Sequence, residues 1–293
     1  MNGIYLVDKP SDMTSFGVVA RVRRLSGQKC GHSGTLDPMA TGLLPVMVGK
    51  ATKLCELFTE GKKEYIGALQ FGRLTDTGDI TGETLEERAG APTKEQLLAA
   101  LPSFMGKITQ RPPIYSAIKV DGVPLYRHAR AGREIEVPER EVEIDRLELL
   151  AYDEDKGEAV LVVECSKGTY IRSLFVDLAA KCGCLGTMAA LRRIKVGRFT
   201  IEESIPLEAL MEQLEQGKSA AFLPLEEALS FLPQYQPPEF FATLLKNGCA
   251  VDIKKLKNLP QGLCRVYSGE QLLGLGEIVE KDGETCFKVV THL

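Results

Sequence analysis

The irregular order of strand-like and helix-like segments most narrows what this chain can fold into. "GIYLVDKP" reads as a short strand closed by a Lys-Pro turn. "TSFGVVARVRRLSG" carries Phe16, Val19, Ala20, Val22 and Leu25 at helical spacing, with Thr14 or Ser15 to cap it and Gly27 to stop it. "TGLLPVMVG" suits a buried strand, "KATKLCELFTEG" a helix with a glycine stop, and "KKEYIGALQFG" alternates in steps of two. "EVEIDRLELLAYD" and "EAVLVVECSKG" are strand-like. "TYIRSLFVDLAAKCG" is a helix with an apolar face at Ile171, Leu174, Phe175 and Leu178, and "CLGTMAALRRIKVGRFTI" runs from a turn into a strand. Without regular βαβ alternation, the expected class is α+β with a mixed or antiparallel central sheet.

At 293 residues the chain holds one large domain or two. "FLPQYQPPEF" has three prolines close together and reads as a linker. Beyond it lie one helix-like segment and several short strands, a module marginal alone by size. The expected division is a catalytic domain over 1–230, a linker over 231–238 and a β-rich module over 239–293.

"GHSGTLDPMATGLLP" sets a single acid, Asp37, in a turn-rich stretch. A lone carboxylate cannot work as a paired acid and base. It remains open to the roles of metal ligand, helix cap, general base or nucleophile, or to being a turn residue before proline. Arg172, at the start of a mostly apolar helix, needs an anion. Two readings stand: it holds Asp37 ionised, or it pairs at the surface with Asp177 or Glu164. Tyr65 and Tyr170 each offer a flat face for a base and a hydroxyl, or else they pack in the core. His32, five residues before Asp37, is an RNA contact or an ordinary loop histidine.

The net charge of −4 argues at first against nucleic acid, yet charge is segregated. Residues 13–36, 96–120 and 178–201 contain no acid, where roughly one such run is expected by chance. The first holds Arg21, Arg23, Arg24 and Lys29; the third holds Lys181, Arg192, Arg193, Lys195 and Arg198. Arg127, Arg130 and Arg133 follow the second. This is either one basic face on an acidic body or a set of ordinary solvated faces.

Eight cysteines form no C-x-x-C pair, and with three histidines in the chain no zinc site is expected. "GLGEI" lacks the third glycine of a dinucleotide fingerprint and no Walker loop is present, so no nucleotide cofactor is expected. The N-terminus lacks a long apolar signal core, and "LLPVMV" is too short to span a bilayer, which points to a cytoplasmic protein.

Six stretches stand in the order of one family: "GIYLVDKPSDMTS", "GHSGTLDPMATGLLPVMVGKATKL", "KKEYIGALQFGRLTDTGDITG", "QRPPIYSAIKVDGVPLYRHARAG", "CSKGTYIRSLFVDLA" and "LRRIKVGRF". Over about residues 1–230 the chain resembles the bacterial tRNA pseudouridine synthases of the TruB type. The tail resembles a reduced PUA-type RNA-binding module. The resemblance implies a pseudouridine-synthase fold and isomerisation of the tRNA T-loop uridine at position 55, with neither metal nor cofactor. It implies that Asp37 is the nucleophile, that Tyr65 stacks on the target base and takes part in proton transfer, and that Arg172 pairs with the aspartate. It further implies that His32, Tyr170 and Leu191 contact the RNA. The expected partner is the tRNA T stem-loop, met by a monomer without membrane or guide RNA. Two alternatives are an RNA-binding helper of tRNA folding, and a guide-RNA-directed synthase of ribosomal RNA, against which the short tail argues.

Overall fold

Period-two burial is plainest in the strand over residues 63–71, where Lys63, Tyr65, Gly67, Leu69 and Phe71 point inward and the residues between them are half exposed. Such strands build the large sheet of the computed structural model. The structure describes residues 2–116, 118–120, 122–132, 135–218, 221–281 and 283–293. Arg133 and the side chain of Arg130 lie outside the described residues. In chain order the first part comprises β1 (Gly3–Lys9), α1 (Ser15–Ser26), β2 (Cys30–His32), β3 (Thr41–Val48) and β4 (Lys63–Phe71). Then come β5 (Gly106–Gln110), β6 (Arg140–Asp153), β7 (Glu158–Cys165), α2 (Ile171–Lys181) and β8 (Gly186–Val196). Short pieces close it: β9 (Phe199–Thr200), β10 (Ile205–Pro206), α3 (Leu207–Glu215) and β11 (Phe222–Pro224).

Among the described residues these strands form one eleven-stranded sheet in the order β10-β1-β3-β8-β4-β7-β6-β5, with β2 on β3, β11 on β1 and β9 on β8. The β1–β10 and β3–β8 contacts are parallel and the others antiparallel, so the sheet is mixed, as the irregular element order predicts. The β4–β8 pairing matters most for the site. It sets Tyr65 opposite Arg193 and Gly67 opposite Leu191, with bulges on either side of that pair. Bulges re-aim side chains locally.

Helix α2 lays Ile171, Leu174, Phe175 and Leu178 onto this sheet, against Leu69, Phe71, Leu161 and Leu191. Gly67 permits the close approach, since a Cβ there would lie 2.8 Å from the Phe175 ring and 3.3 Å from Leu191. Helix α1 is capped by Thr14, whose hydroxyl accepts from the Gly17 N–H, and stopped by Gly27 in the left-handed region at φ 64°. Its buried stripe is Ser15, Val18, Val19 and Val22. The expected stripe included Phe16 and Ala20, but both are exposed. The reason is that Ser15 turns inward to a polar partner, described below, and rotates the helix.

The second sheet comprises β12 (Gln234–Tyr235), β13 (Val251–Asp252), β14 (Cys264–Ser268), β15 (Gln271–Lys281) and β16 (Glu284–His292), in the order β12-β14-β15-β16-β13. Its first strand comes from within the proline-rich stretch. The helix Glu239–Lys246 covers it. Tyr267, Leu272 and Leu275 join a core shared with Ile4, Leu6, Leu43 and Met47, so the small sheet packs on the large one. Among the described residues no helix is long and apolar enough to cross a membrane.

Candidate active site

Asp37 is delivered by a loop tied down on both sides. The Ser15 hydroxyl accepts from the Leu36 N–H (2.8 Å) and donates to the Leu36 carbonyl (3.1 Å). Buried Lys9 donates to the carbonyls of Pro10 (2.7 Å), Met13 (2.6 Å) and Pro38 (3.1 Å). The residues on either side of Asp37 are therefore held by α1 and by the end of β1, and the carboxylate has little freedom of its own. Burial lowers the Lys9 pKa to about 8, while Asp12 and Asp37 oppose the shift.

The carboxylate meets Arg172, the second residue of α2. Its Nη2 donates to Asp37 Oδ1 at 3.0 Å, and its Nε lies 2.9 Å from Oδ2. Arg172 also donates to the carbonyls of Thr77 (2.9 Å) and Tyr115 (3.0 Å). A second carboxylate, buried Asp79, stands 3.8 Å from Nε. Asp79 accepts in turn from the Thr77 hydroxyl (2.9 Å) and the Thr81 N–H (3.0 Å). Asp177 and Glu164 are not the partners; Glu164 lies 3.7 Å from Lys195. Burial pushes the Asp37 pKa up from the ordinary aspartate value, against Arg172, which pulls it down. This fork, one hydrogen bond from Nη2 and one close charged approach of Nε that is not a hydrogen bond, restricts the direction of the carboxylate oxygens.

Below Asp37 the β4–β8 pair forms the floor. Tyr65 and Leu191 are 9% and 7% exposed. Burial raises the Tyr65 pKa and the neighbouring Arg193 guanidinium opposes it. Tyr170 is the N-cap residue of α2 and makes no side-chain capping bond. Instead the buried Gln110 side chain brackets its backbone, donating to the Tyr170 carbonyl (2.9 Å) and accepting from the Tyr170 N–H (2.8 Å). Asp37, Tyr65, Tyr170, Arg172 and Leu191 thus line one cleft of about 820 Å³. His32 is not among its lining residues; it sits half-buried on β2, where burial and then Arg193 lower its pKa and favour the neutral ring.

Three cleft residues, Asp79, Lys63 and Arg193, and one that supports the cleft, Gln110, escaped the sequence reading. Asp79 lies in a polar glycine-rich stretch with no local signal of burial. Gln110 ends a strand whose preceding residues are mostly exposed. Lys63 shares the inward face of β4 with Tyr65, which the alternation alone foretells. Arg193 belongs to an acid-free run that also suits a solvated face, yet it is 1% exposed. Its neighbour Arg192 points the other way and pairs through both terminal nitrogens with Asp8. Among the described residues no group of three or more His, Cys, Asp or Glu side chains is placed to hold a metal ion.

A cleft that presents one oriented carboxylate over an aromatic and an aliphatic side chain suits nucleophilic chemistry on a flat ring. A family model described as the TruB family pseudouridylate synthase N-terminal domain matches residues 22–171. One described as the tRNA pseudouridylate synthase B C-terminal domain matches residues 172–230. A protein of Clostridium tetani named tRNA pseudouridine synthase B is 42% identical over 297 residues, covering 100% of both chains. One of the same name from Stutzerimonas stutzeri is 42% identical over 286 residues, covering 96% of this chain and 92% of the other. A chain in the crystal structure of a Cbf5-Nop10-Gar1 complex superposes with a TM-score of 0.73 at 25% identity, over 98% of this chain and 83% of that one.

Proposed function

The chain belongs to the TruB family of pseudouridylate synthases and isomerises a tRNA uridine to pseudouridine; we propose that its target is the T-loop uridine at position 55 and that Asp37 is the nucleophile. The observation that carries this reading is the Asp37–Arg172 fork set over Tyr65 and Leu191 in one cleft. Arg172 keeps the carboxylate ionised and aimed although burial disfavours its charge. Tyr65 and Leu191 supply the two faces between which a flat base lies. Tyr170, on the rim, contacts the RNA, its backbone held by Gln110. His32, outside the cleft lining, meets the RNA beyond the target base.

A T-loop uridine is stacked in folded RNA and must leave the stack, at a cost of a few kcal/mol. Stacking on Tyr65, worth roughly 1–3 kcal/mol per base, and cations on the RNA backbone offset this cost. The large sheet carries the chemistry and the small sheet adds RNA contact. The protein works in the cytoplasm as a monomer, without a guide RNA.

The test is to incubate the pure protein with unmodified tRNA, adding no guide RNA, and to map pseudouridine. Product at position 55 is expected, and product elsewhere overturns the target. Asp37→Asn is expected to bind tRNA and make no pseudouridine; substantial turnover removes Asp37 from the role.

A further inference from the structure

Two buried cations flank Tyr65 on the cleft floor, and among the described residues neither has an anion. Lys63 is 5% exposed and Arg193 is 1% exposed. Lys63 Nζ donates to the carbonyls of Thr59 and Gly61, the latter at 2.6 Å. Arg193 donates through Nε to the Leu43 carbonyl (2.8 Å) and through Nη2 to that of Gly34 (2.9 Å). Among the described residues no carboxylate forms an ion pair with either. Glu60, which acts on Lys63 from a distance, is paired with Lys167. Arg172, by contrast, has Asp37 and Asp79. Two unneutralised charges buried side by side are costly unless something anionic arrives during function.

Their position says which anion. Arg193 is the cross-strand partner of Tyr65, Lys63 precedes Tyr65 by two residues on the same face, and all three line the cleft with Leu191. The cations therefore lie at the bottom, where the base goes, and not at the rim, where a backbone phosphate runs.

We infer that Lys63 and Arg193 hold the negative charge that the uracil acquires when it separates from the ribose. This rests on the reading of function given above. When the C1′–N1 bond breaks, its electron pair stays with the uracil, which becomes an anion with charge spread over the ring nitrogens and carbonyl oxygens. An electron pair of that anion then forms the C5–C1′ bond and displaces Asp37, whose carboxylate recovers the pair it gave C1′ when N1 left. The proton left on C5 departs to a base, the C5–H pair becomes the C5–C6 double bond, and the N1–C6 π pair moves to N1, which takes up a proton from water. No oxidant or reductant takes part. Lys63, Tyr65, Leu191 and Arg193 on the cleft floor are each 9% exposed or less, so charge on the base must be met by fixed protein charge. The carbonyl tethers hold both cations in place before the charge appears, so nothing has to reorganise. Both act on the reacting base by charge; Arg193 in addition orients Tyr65.

The experiment measures single-turnover pseudouridine formation on unmodified tRNA with enzyme in excess, across a pH series, beside tRNA binding by filter retention. Lys63→Gln is expected to lose about a hundredfold in rate while tRNA affinity stays within about twofold. Lys63→Arg keeps most of the rate, and Arg193→Lys loses less than Arg193→Gln. Burial and then Arg193 lower the Lys63 pKa to about 8, with Cys165, Glu60 and Lys167 as its other titratable neighbours. The wild-type rate should thus fall as pH rises through that value. This alkaline limb disappears in Lys63→Gln and moves upward in Lys63→Arg. Wild-type rates in Lys63→Gln and Arg193→Gln overturn the inference. So does a loss of tRNA affinity equal to the loss of rate, which assigns the pair to RNA phosphates. Wild-type protein that makes no pseudouridine fails the functional reading instead, so the two failures are distinct.

Discussion

The Arg172 guanidinium grips the Asp37 carboxylate through two nitrogens, Nη2 donating to Oδ1 at 3.0 Å and Nε lying 2.9 Å from Oδ2. The arginine side chain is 4% exposed and the aspartate 32%. The pair is closed on the protein side and open on the cleft side, so the carboxylate is oriented without being sealed away.

Lysine cannot reproduce that fork, because it is a point charge on a flexible stem. Arg172→Lys is expected to fold, bind tRNA and lose about a hundredfold in single-turnover rate as Asp37 loses its direction. Arg172→Met leaves Asp37 and Asp79 without their cation and is expected to cost about 3–5 kcal/mol in urea unfolding. Wild-type rates in Arg172→Lys would show that charge alone suffices.

The rate should also report the Asp37 environment through pH. Burial sets the folded pKa above the ordinary aspartate value, and nucleophilic attack needs the ionised form. As pH falls through that raised value the carboxylate takes up a proton and the rate drops. The acid limb of the single-turnover profile is therefore expected above the normal aspartate range. In Arg172→Lys, with the fork gone, it should move higher still. A limb at the ordinary value contradicts the dominance of burial.

Gln110 offers a test remote from the chemistry. Replacing it with leucine strands the Tyr170 N–H, while the carbonyl keeps the Leu174 N–H at 3.0 Å. The stability cost is about 1–3 kcal/mol. Because Tyr170 caps the helix that carries Arg172, a lower rate should accompany weaker tRNA binding. Unfolding curves and binding isotherms on Gln110→Leu measure the two separately.

Gly67→Ala should act by crowding. Its Cβ would arrive 2.8 Å from the Phe175 ring and 3.3 Å from Leu191. Overpacking of this kind costs about 1–3 kcal/mol. Leu191 is the side chain displaced toward the base, so the rate is expected to fall more than tRNA affinity does.

Much of this architecture is written locally. The two-residue alternation of Lys63–Phe71, the apolar run Thr41–Val48 and the Ile171–Leu174–Phe175–Leu178 stripe each state which face is inward. The turn residues around Asp37 mark it as exposed to function before any partner is known. Helix α1 shows the limit: apolar spacing admits several stripes, and a polar contact from Ser15 to Leu36, 21 residues away, selected among them.

Sequence by itself determined which segments are strands and helices, which stretch carries the lone acid and which family's motifs the chain holds. Tertiary structure shows Arg172 meeting Asp37, 135 residues away, as the resemblance implies and local spacing left open, and it alone decided that Asp79 joins them. It likewise decided that Arg193 goes into the cleft while Arg192 goes to Asp8. Alternation says that adjacent strand residues face opposite ways, but not which way is in. That choice belongs to register, bulges and the long-range pairing of β4 with β8, whose free energy no short window of sequence contains.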